Sequence, residues 1–453
     1  MTALDLARAL RITPSTRRLT VAFVGAGGKT TALFHLARRL AKHGPVWVTA
    51  TSHLGVWQIP LADRHFEVVE DSAETQRHLE TALLDHRFEV TLITGSRVGD
   101  RMQAIPETVL FWLHEMAGAR SLPLLIEADG SRRKPLKAPA DHEPPLPPFV
   151  NLVVVVAGLS ALGAPLTEEH VFRPERFSAL SGLSLNAPIS PEALTRLLLH
   201  PQGGLKNIPA TARRATLLNQ ADTQARQAAA LHMSAALLPT YHAVLVTSLE
   251  HDQIHAVHQQ IAAILLAAGP SQRFGRPKQL LEWRGKPFVR QVAETALQAG
   301  LRPVIVVTGA EAEAIQTALH GLEVQIAYNP DWPAGQGTSV ACGVQALPQE
   351  VGGALFLLAD QPQVSVEVIR ALVETHAQRL SPILAPLVLE ERRANPVLFD
   401  RLTFDDLQRL QGQAGGRALF DQYGVEYLPW HDPLLLLDVD TPHDYERLKR
   451  EAE

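Results

Sequence analysis

Two short stretches of the chain concentrate the residue types that hold phosphate. The first is Val24-Gly-Ala-Gly-Gly-Lys-Thr-Thr31, which follows an apolar run and precedes a helical pattern. Gly25, Gly27 and Gly28 lack a Cβ, so their backbone N–H groups can approach an anion closely. Lys29 would reach the β- and γ-phosphates, and Thr30, with Thr31 beside it, would meet a Mg²⁺ ion at the helix start. The usual loop of this kind has a glycine six residues before the lysine. Phe23 stands there, so this is a shortened variant, with a purely structural glycine turn as the alternative. The second stretch is Leu266-Ala-Ala-Gly-Pro-Ser-Gln-Arg-Phe-Gly-Arg-Pro-Lys278. Leu266, Ala267, Ala268, Gly269 and Gly275 would line a triphosphate. Arg273 would fork across two phosphate oxygens, and Lys278 would place a point charge on the α-phosphate.

Carboxylates complete both sets. Asp360 ends an apolar run in Leu358-Ala-Asp-Gln-Pro362, where a strand's C-terminal end would aim it into a ligand crevice. With Asp440, or alternatively Asp438, it would hold Mg²⁺ while an acceptor oxygen attacks the α-phosphorus in line and pyrophosphate leaves. Asp438-Val-Asp-Thr-Pro442 is equally a good helix cap. In the first half, Leu124-Leu-Ile-Glu-Ala-Asp-Gly130 ends in carboxylates, and Asp129 with Thr30 forms its candidate metal set. Leu217-Leu-Asn-Gln-Ala-Asp222 offers Asn219 and Asp222 either as a guanine reader, with Gln220 in the place of a lysine, or as a helix N-cap.

The 453 residues suggest two or three domains. A net charge of −5 gives no basic excess of the kind nucleic-acid binding needs. Cys342 is the single cysteine, which excludes an intrachain disulfide and a cysteine metal cluster and reads as a buried structural residue. No apolar run is long enough to span a bilayer and no signal-peptide pattern opens the chain, so a cytoplasmic protein is expected.

Apolar runs alternate with amphipathic ones in both halves, the pattern of mostly parallel α/β sheets. The expected strands are Leu19–Val24, Val46–Ala50, Val90–Thr94, Leu122–Ala128, Leu152–Ala157 and Ala215–Asn219, then Ile261–Leu266, Pro303–Thr308, Val324–Tyr328, Ala354–Leu358 and Ile383–Val388. Expected helices include a short amphipathic one within Met1–Arg18, then Thr75–Leu84, Thr108–Ala117, Pro277–Leu281, Gln291–Ala299, Glu311–Leu319, Val366–Gln378 and His443–Ala452. Pro135–Phe149 reads as a surface loop. Residues 1–250 and 261–453 are the expected domains. The polar stretch 251–260 reads as a linker rather than as a metal site for His251, His255 and His258, because no ligand-spaced carboxylates accompany them.

With these motifs in place, residues Ile261–Leu448 resemble the MobA-like nucleotidyltransferase superfamily, and within it the molybdenum cofactor cytidylyltransferase branch. Further matching pieces are Asn329-Pro-Asp-Trp, Gly335-Gln-Gly337-Thr-Ser339, Asn395-Pro-Val-Leu-Phe399 and Asp438–Pro442. The resemblance implies CTP as substrate, Mg²⁺, a molybdopterin-type acceptor, and Gly337, Thr338 and Ser339 near the base and ribose. Ala394-Asn395-Pro396 replaces the family's Gly-His-Pro, and Gly412-Gln413 its Gly-Asp, both on the acceptor side. Residues Leu4–Leu249 resemble the YqeC family through the loop at Lys29, Thr49–His53, Lys137–Pro144, His170–Arg173 and Gly204–Pro209. That family is linked to selenium-dependent molybdenum hydroxylases as an accessory protein. It implies a second nucleoside triphosphate, GTP or ATP, and a molybdenum hydroxylase apoenzyme as a partner. His53 and His142 are candidates for ligand contact or for packing. The expected fold class is an N-terminal P-loop-like three-layer α/β domain followed by a Rossmann-like, GT-A-like α/β domain. Two rival readings stay open: a sugar- or alditol-phosphate nucleotidyltransferase, and an N-terminal domain that carries cofactor under nucleotide control without catalysis.

Overall fold

The computed structural model describes residues 4–13, 18–70, 72–83, 89–270, 277–390 and 392–451. The chain forms two compact units, Met1–His258 and Gln259–Glu453.

The N-terminal unit is built on a nine-stranded sheet. In chain order its elements are α1 (Leu6–Ala9), β1 (Thr20–Gly25), α2 (Lys29–Leu40), β2 (Val46–Ala50), β3 (Arg64–Val68), α3 (Ala73–Leu83), β4 (Val90–Gly95), α4 (Glu107–Ala119) and β5 (Leu124–Glu127). They continue with β6 (Leu152–Gly158), α5 (Pro174–Ser181), α6 (Pro191–Leu199), β7 (Arg213–Asn219), α7 (Gln224–Leu237), β8 (Ala243–Ser248) and β9 (Gln253–His258). The sheet order is β9-β8-β7-β6-β1-β5-β2-β4-β3. All neighbours are parallel except β8 and β9. The central strands β2, β4, β5 and β6 are buried from end to end, so protein covers both sheet faces, as a parallel sheet requires. Parallel strands place the turns after β1, β2 and β5 on one edge of the sheet, where ligands of such folds bind.

The C-terminal unit contains β10 (Ile261–Leu266), α8 (Phe288–Gln298), β11 (Val304–Thr308), α9 (Ala312–Ala318), β12 (Gln325–Tyr328), α10 (Gln336–Gln345), β13 (Gly353–Leu358) and α11 (Val366–Arg379). It ends with β14 (Ile383–Val388), β15 (Arg392–Arg393), β16 (Val397–Asp400), β17 (Glu426–Trp430) and α12 (Pro442–Arg450). The sheet runs β12-β11-β10-β13-β16-β14-β15, with β17 also paired to β14. Successive residues of β10 face opposite ways. Ile261, Ala263 and Leu265 pack in one core with α8 and α11 residues such as Val292 and Leu372. Ala262 and Ile264 pack in a second core with Val340 and Val344 of α10. The result is three layers.

Four expectations change. The stretch read as a linker contains β9, an antiparallel edge strand; an edge strand meets solvent, so its polar composition does not exclude pairing. The N-terminal helix is a single turn whose Leu6, Ala9 and Leu10 are buried. Pro277–Leu281 holds only the 3₁₀ turn Lys278–Leu280. Finally, Leu136, Lys137 and Ala138 of the supposed surface loop are buried, because Leu136–Lys137 pairs with Val171–Phe172.

Candidate nucleotide sites

In the N-terminal unit the glycine turn is held against the ends of β6 and β7. Gly28 has φ +120°, and a Cβ there would lie 2.3 Å from Asn219 Nδ2, so a larger residue is excluded twice over. Gly28 is the N-cap of α2 and supplies no side-chain cap, which leaves helix N–H groups for an incoming anion. Lys29 is 4% exposed. Its Nζ donates to Gly25 O at 2.7 Å and lies 3.2 Å from Asp129 Oδ1. Asp129 also accepts from Gly25 N at 3.1 Å and pairs with Lys137 at 2.8 Å. Lys137 donates to Glu143 at 2.9 Å, and Arg173 closes the chain on Glu143 at 2.8 Å. Burial tends to raise the Glu143 carboxyl, but Arg173 and Lys137 outweigh it and hold it down to about 2. Thr30 Oγ1 donates to Glu127 Oε2 at 2.9 Å. Burial pushes the Glu127 carboxyl up, with Lys29 and the Thr30 bond opposing.

Lys29, Thr30, Glu127 and Asp129 therefore converge, as the motifs suggested. Asn219 does something different from base reading. Its Nδ2 donates to Gly27 O at 2.8 Å, while its Oδ1 accepts from Thr247 Oγ1 and Leu249 N at 3.0 and 3.1 Å. All three bonds pin the glycine turn to the end of β8. Asp222 is half-exposed beside Arg226, 3.4 Å away. His53 is exposed on the turn after β2, and His142 is exposed between the paired residues Asp141 and Glu143. His255 bonds Ser248 Oγ at 2.9 Å and His258 is mostly buried, its imidazole pushed down to about 4 by burial. No group of three or more metal-ligating side chains occurs among the described residues. Sequence reasoning missed Lys137 as a partner of Asp129, and it missed Gln58, which donates to Thr30 Oγ1 at 2.9 Å. A lysine within an apolar-proline stretch was the available signal for the first; nothing local marks the second.

In the C-terminal unit the first part of the phosphate loop leaves β10 at Leu266. Ala267 N donates to Val307 O at 2.9 Å, fixing the turn between neighbouring strands. Gln279 reaches back and donates to Gly269 O at 2.8 Å, a clasp the sequence did not advertise. Arg273 and Gly275 lie outside the described residues. Lys278, largely buried, is 2.5 Å from Asp440 Oδ1 and 3.9 Å from Asp360 Oδ2. Asp360 sits just past β13, as its motif required. Surrounding protein pushes its carboxyl up, Lys278 opposes this, and Asp438 and Asp440 add to it. Asp438 instead accepts from Gln361 Nε2 at 2.5 Å. Asp440 is both site residue and neighbour of a cap: Thr441 and Asp444 form the capping box of α12. Gly335 has φ +126° and a Cβ there would lie 2.3 Å from Gly412 O. Gly337 N donates to that same carbonyl at 2.9 Å. Asn329 Nδ2 donates to the hydroxyls of Thr338 and Ser339 at 2.9 and 3.0 Å. Both hydroxyls thus brace the Asn329–Asp331 turn. Cys342 is partly buried, 3.7 Å from Tyr328 O, and burial pushes its thiol up.

Two sheets with parallel cores, each with a glycine turn, a lysine and carboxylates at its strand ends, define an α/β protein. Comparison with known proteins makes this specific. Residues 21–175 match the YqeC protein family and residues 263–429 match the MobA-like NTP transferase domain. The uncharacterized protein YqeC of Escherichia coli is 35% identical over 45% of this chain and 77% of its own length. Nicotine blue oxidoreductase of Paenarthrobacter nicotinovorans is 33% identical over 42% of this chain and 96% of its own. The purine catabolism protein PucB of Bacillus subtilis is 32% identical over 42% and 96%. The chain belongs to the YqeC family through its N-terminal unit and to the MobA-like NTP transferase family through its C-terminal unit, which is a nucleotidyltransferase domain. No helix among the described residues is long and apolar enough to cross a membrane.

Proposed function

We propose that the C-terminal unit transfers CMP from CTP to a molybdopterin-type acceptor and releases pyrophosphate, and that the N-terminal unit binds a second nucleoside triphosphate, GTP or ATP, in a linked step of cofactor maturation. The observation that carries the first part is the placing of one lysine between two carboxylates at the end of β13, beside a glycine loop. Asp360 and Asp440 offer two hard oxygen ligands, the number Mg²⁺ commonly takes from protein when phosphate and water complete its shell. Bound there, Mg²⁺ would supply charge neutralisation at the departing pyrophosphate. Lys278 would move from Asp440 toward the α-phosphate as the nucleotide enters. Asp360, just past the strand, would hold the metal side of the site in place. The acceptor's phosphate oxygen would then close on the α-phosphorus opposite the leaving group.

Support for the second part is the convergence of Lys29, Thr30, Glu127 and Asp129 at the start of α2. Delivery of the product to a molybdenum hydroxylase apoenzyme in the cytoplasm fits this reading. The test is incubation with molybdopterin-type cofactor and each of CTP, GTP and ATP, with pyrophosphate release and product mass as readouts. Adduct with CTP alone supports the proposal; adduct with none refutes it. A second reading is that the C-terminal unit binds a nucleotide without cleaving it; an oxidoreductase stands among the relatives. Nucleotide binding without pyrophosphate, whatever the acceptor, selects that one.

A further inference from the structure

The connection between β2 and β3 contains a side chain with an unmatched bond. Gln58 lies in the 3₁₀ turn Val56–Leu61 and is 5% exposed. Its Nε2 donates to Thr30 Oγ1, and that hydroxyl donates to Glu127 Oε2, both at 2.9 Å. With Glu127 ionised, it takes the one hydroxyl proton of Thr30, and the amide then presents N–H to the hydroxyl. Gln58 Oε1 is then left buried without a donor. Ser52 Oγ, two residues past the end of β2, is also buried and unmatched. Buried polar atoms in folded proteins are usually paired with protein, water or ligand.

The unmatched atoms decide what would complete the site. Gln58 Oε1 and the Glu127 carboxylate are acceptors. Phosphate oxygens are acceptors too, and would leave Gln58 Oε1 unmatched. A hydrated divalent cation fits: its waters donate to protein oxygens on one side while the metal takes phosphate oxygens on the other. Thr30 Oγ1 accepts from Gln58 with one lone pair, which leaves the other for the metal.

We propose that Gln58 is a positioning residue for the hydrated cation of a bound Mg·nucleotide, its Oε1 accepting from a metal-bound water and its amide orienting the Thr30 hydroxyl. The proposal rests on the nucleotide reading of the N-terminal unit. The test uses the full chain and the β,γ-imido analogues of ATP and GTP, titrated in Mg²⁺ and in EDTA. The portion of binding that Lys29→Ala removes is assigned to this site. Gln58→Met should reduce the Mg²⁺ enhancement of affinity about tenfold, as outer-shell partners of metals do, with the EDTA affinity within about twofold of wild type. Gln58→Glu, which keeps an oxygen at that position, should recover part of the enhancement. An unchanged enhancement in Gln58→Met overturns the proposal. So does an equal loss in Mg²⁺ and EDTA, which would mean that Gln58 only packs the turn; melting temperatures of the variants identify a folding loss. If no wild-type binding depends on Lys29, the nucleotide reading itself fails, and this proposal fails with it.

Discussion

The side chains of Lys29, Asp129 and Lys137 are each at most 3% exposed, whereas those of Asp360 and Asp440 are 37% and 55% exposed. Both units place lysine and aspartate beside a glycine turn, yet one site is shut on itself and the other is open to water. In the N-terminal unit a row of alternating charges runs from Lys29 through Asp129, Lys137 and Glu143 to Arg173, each ion-paired to the next. On the proposed reading, a phosphate entering there would exchange partners with Asp129, which would couple binding to rearrangement. In the C-terminal unit the carboxylates keep solvent contact, and a metal and nucleotide would displace water and a single lysine. The same residue types thus form a buried ion-pair row in one unit and a partly exposed cluster in the other.

The largest expected effect tests the open site. Asp360→Ala should lower pyrophosphate release about 10³-fold, the scale of removing a main source of transition-state charge stabilisation, while nucleotide binding survives in part. Full activity would take Asp360 out of the metal position and erase one side of the contrast. Next, Lys29→Ala should abolish analogue binding at the N-terminal site and leave C-terminal turnover within about twofold. Parallel loss of both activities in single-turnover assays would mean that the sites are not separable.

The buried ion-pair row predicts an acid window. The Glu143 carboxyl titrates at about 2 in the fold against an ordinary 4.5, so its contribution is complete above pH 4.5 and is lost as pH falls toward 2. Wild type should lose on the order of 2–3 kcal/mol across that window and Glu143→Gln should not; urea melts at stepped pH would reveal identical slopes if the ion-pair row were irrelevant. Asn219→Ala should destabilise the N-terminal unit by about 1–3 kcal/mol, since it orphans Thr247 and Gly27 groups. A melt matching wild type would contradict that role. The smallest effect is expected at Cys342: its raised, partly buried thiol should react slowly with iodoacetamide, and Cys342→Ser should retain activity within about twofold.

Much of the site was legible before any fold. Asp360 stands at the end of β13 and Lys278 just past the loop because apolar runs and glycine turns announce strand ends. The helices α5, α6 and α7 were not anticipated, although Pro174 and Pro191 at first-turn positions and the caps Ser190 and Thr223 mark their starts. The weak amphipathic patterns of α5 and α7 are masked by alanine, serine and leucine, which suit several environments, and α6 is only nine residues long. Asn219 looked like a base reader because its motif fits one; its three bonds to the turn and β8 depend on which strands become neighbours.

The sequence by itself determined the two α/β units, the position of each glycine turn, and the carboxylates Glu127 and Asp360 at the ends of β5 and β13. Those follow from local rules: two-residue and 3.6-residue periodicities, glycine backbone freedom and helix caps. Only the tertiary structure decided that Lys278 meets Asp440 across a separation of 162 residues, that Lys137 is drawn under Asp129, and that Gln58 reaches Thr30. Strand order and loop burial set those meetings, and burial then fixes how strongly each charge needs its partner.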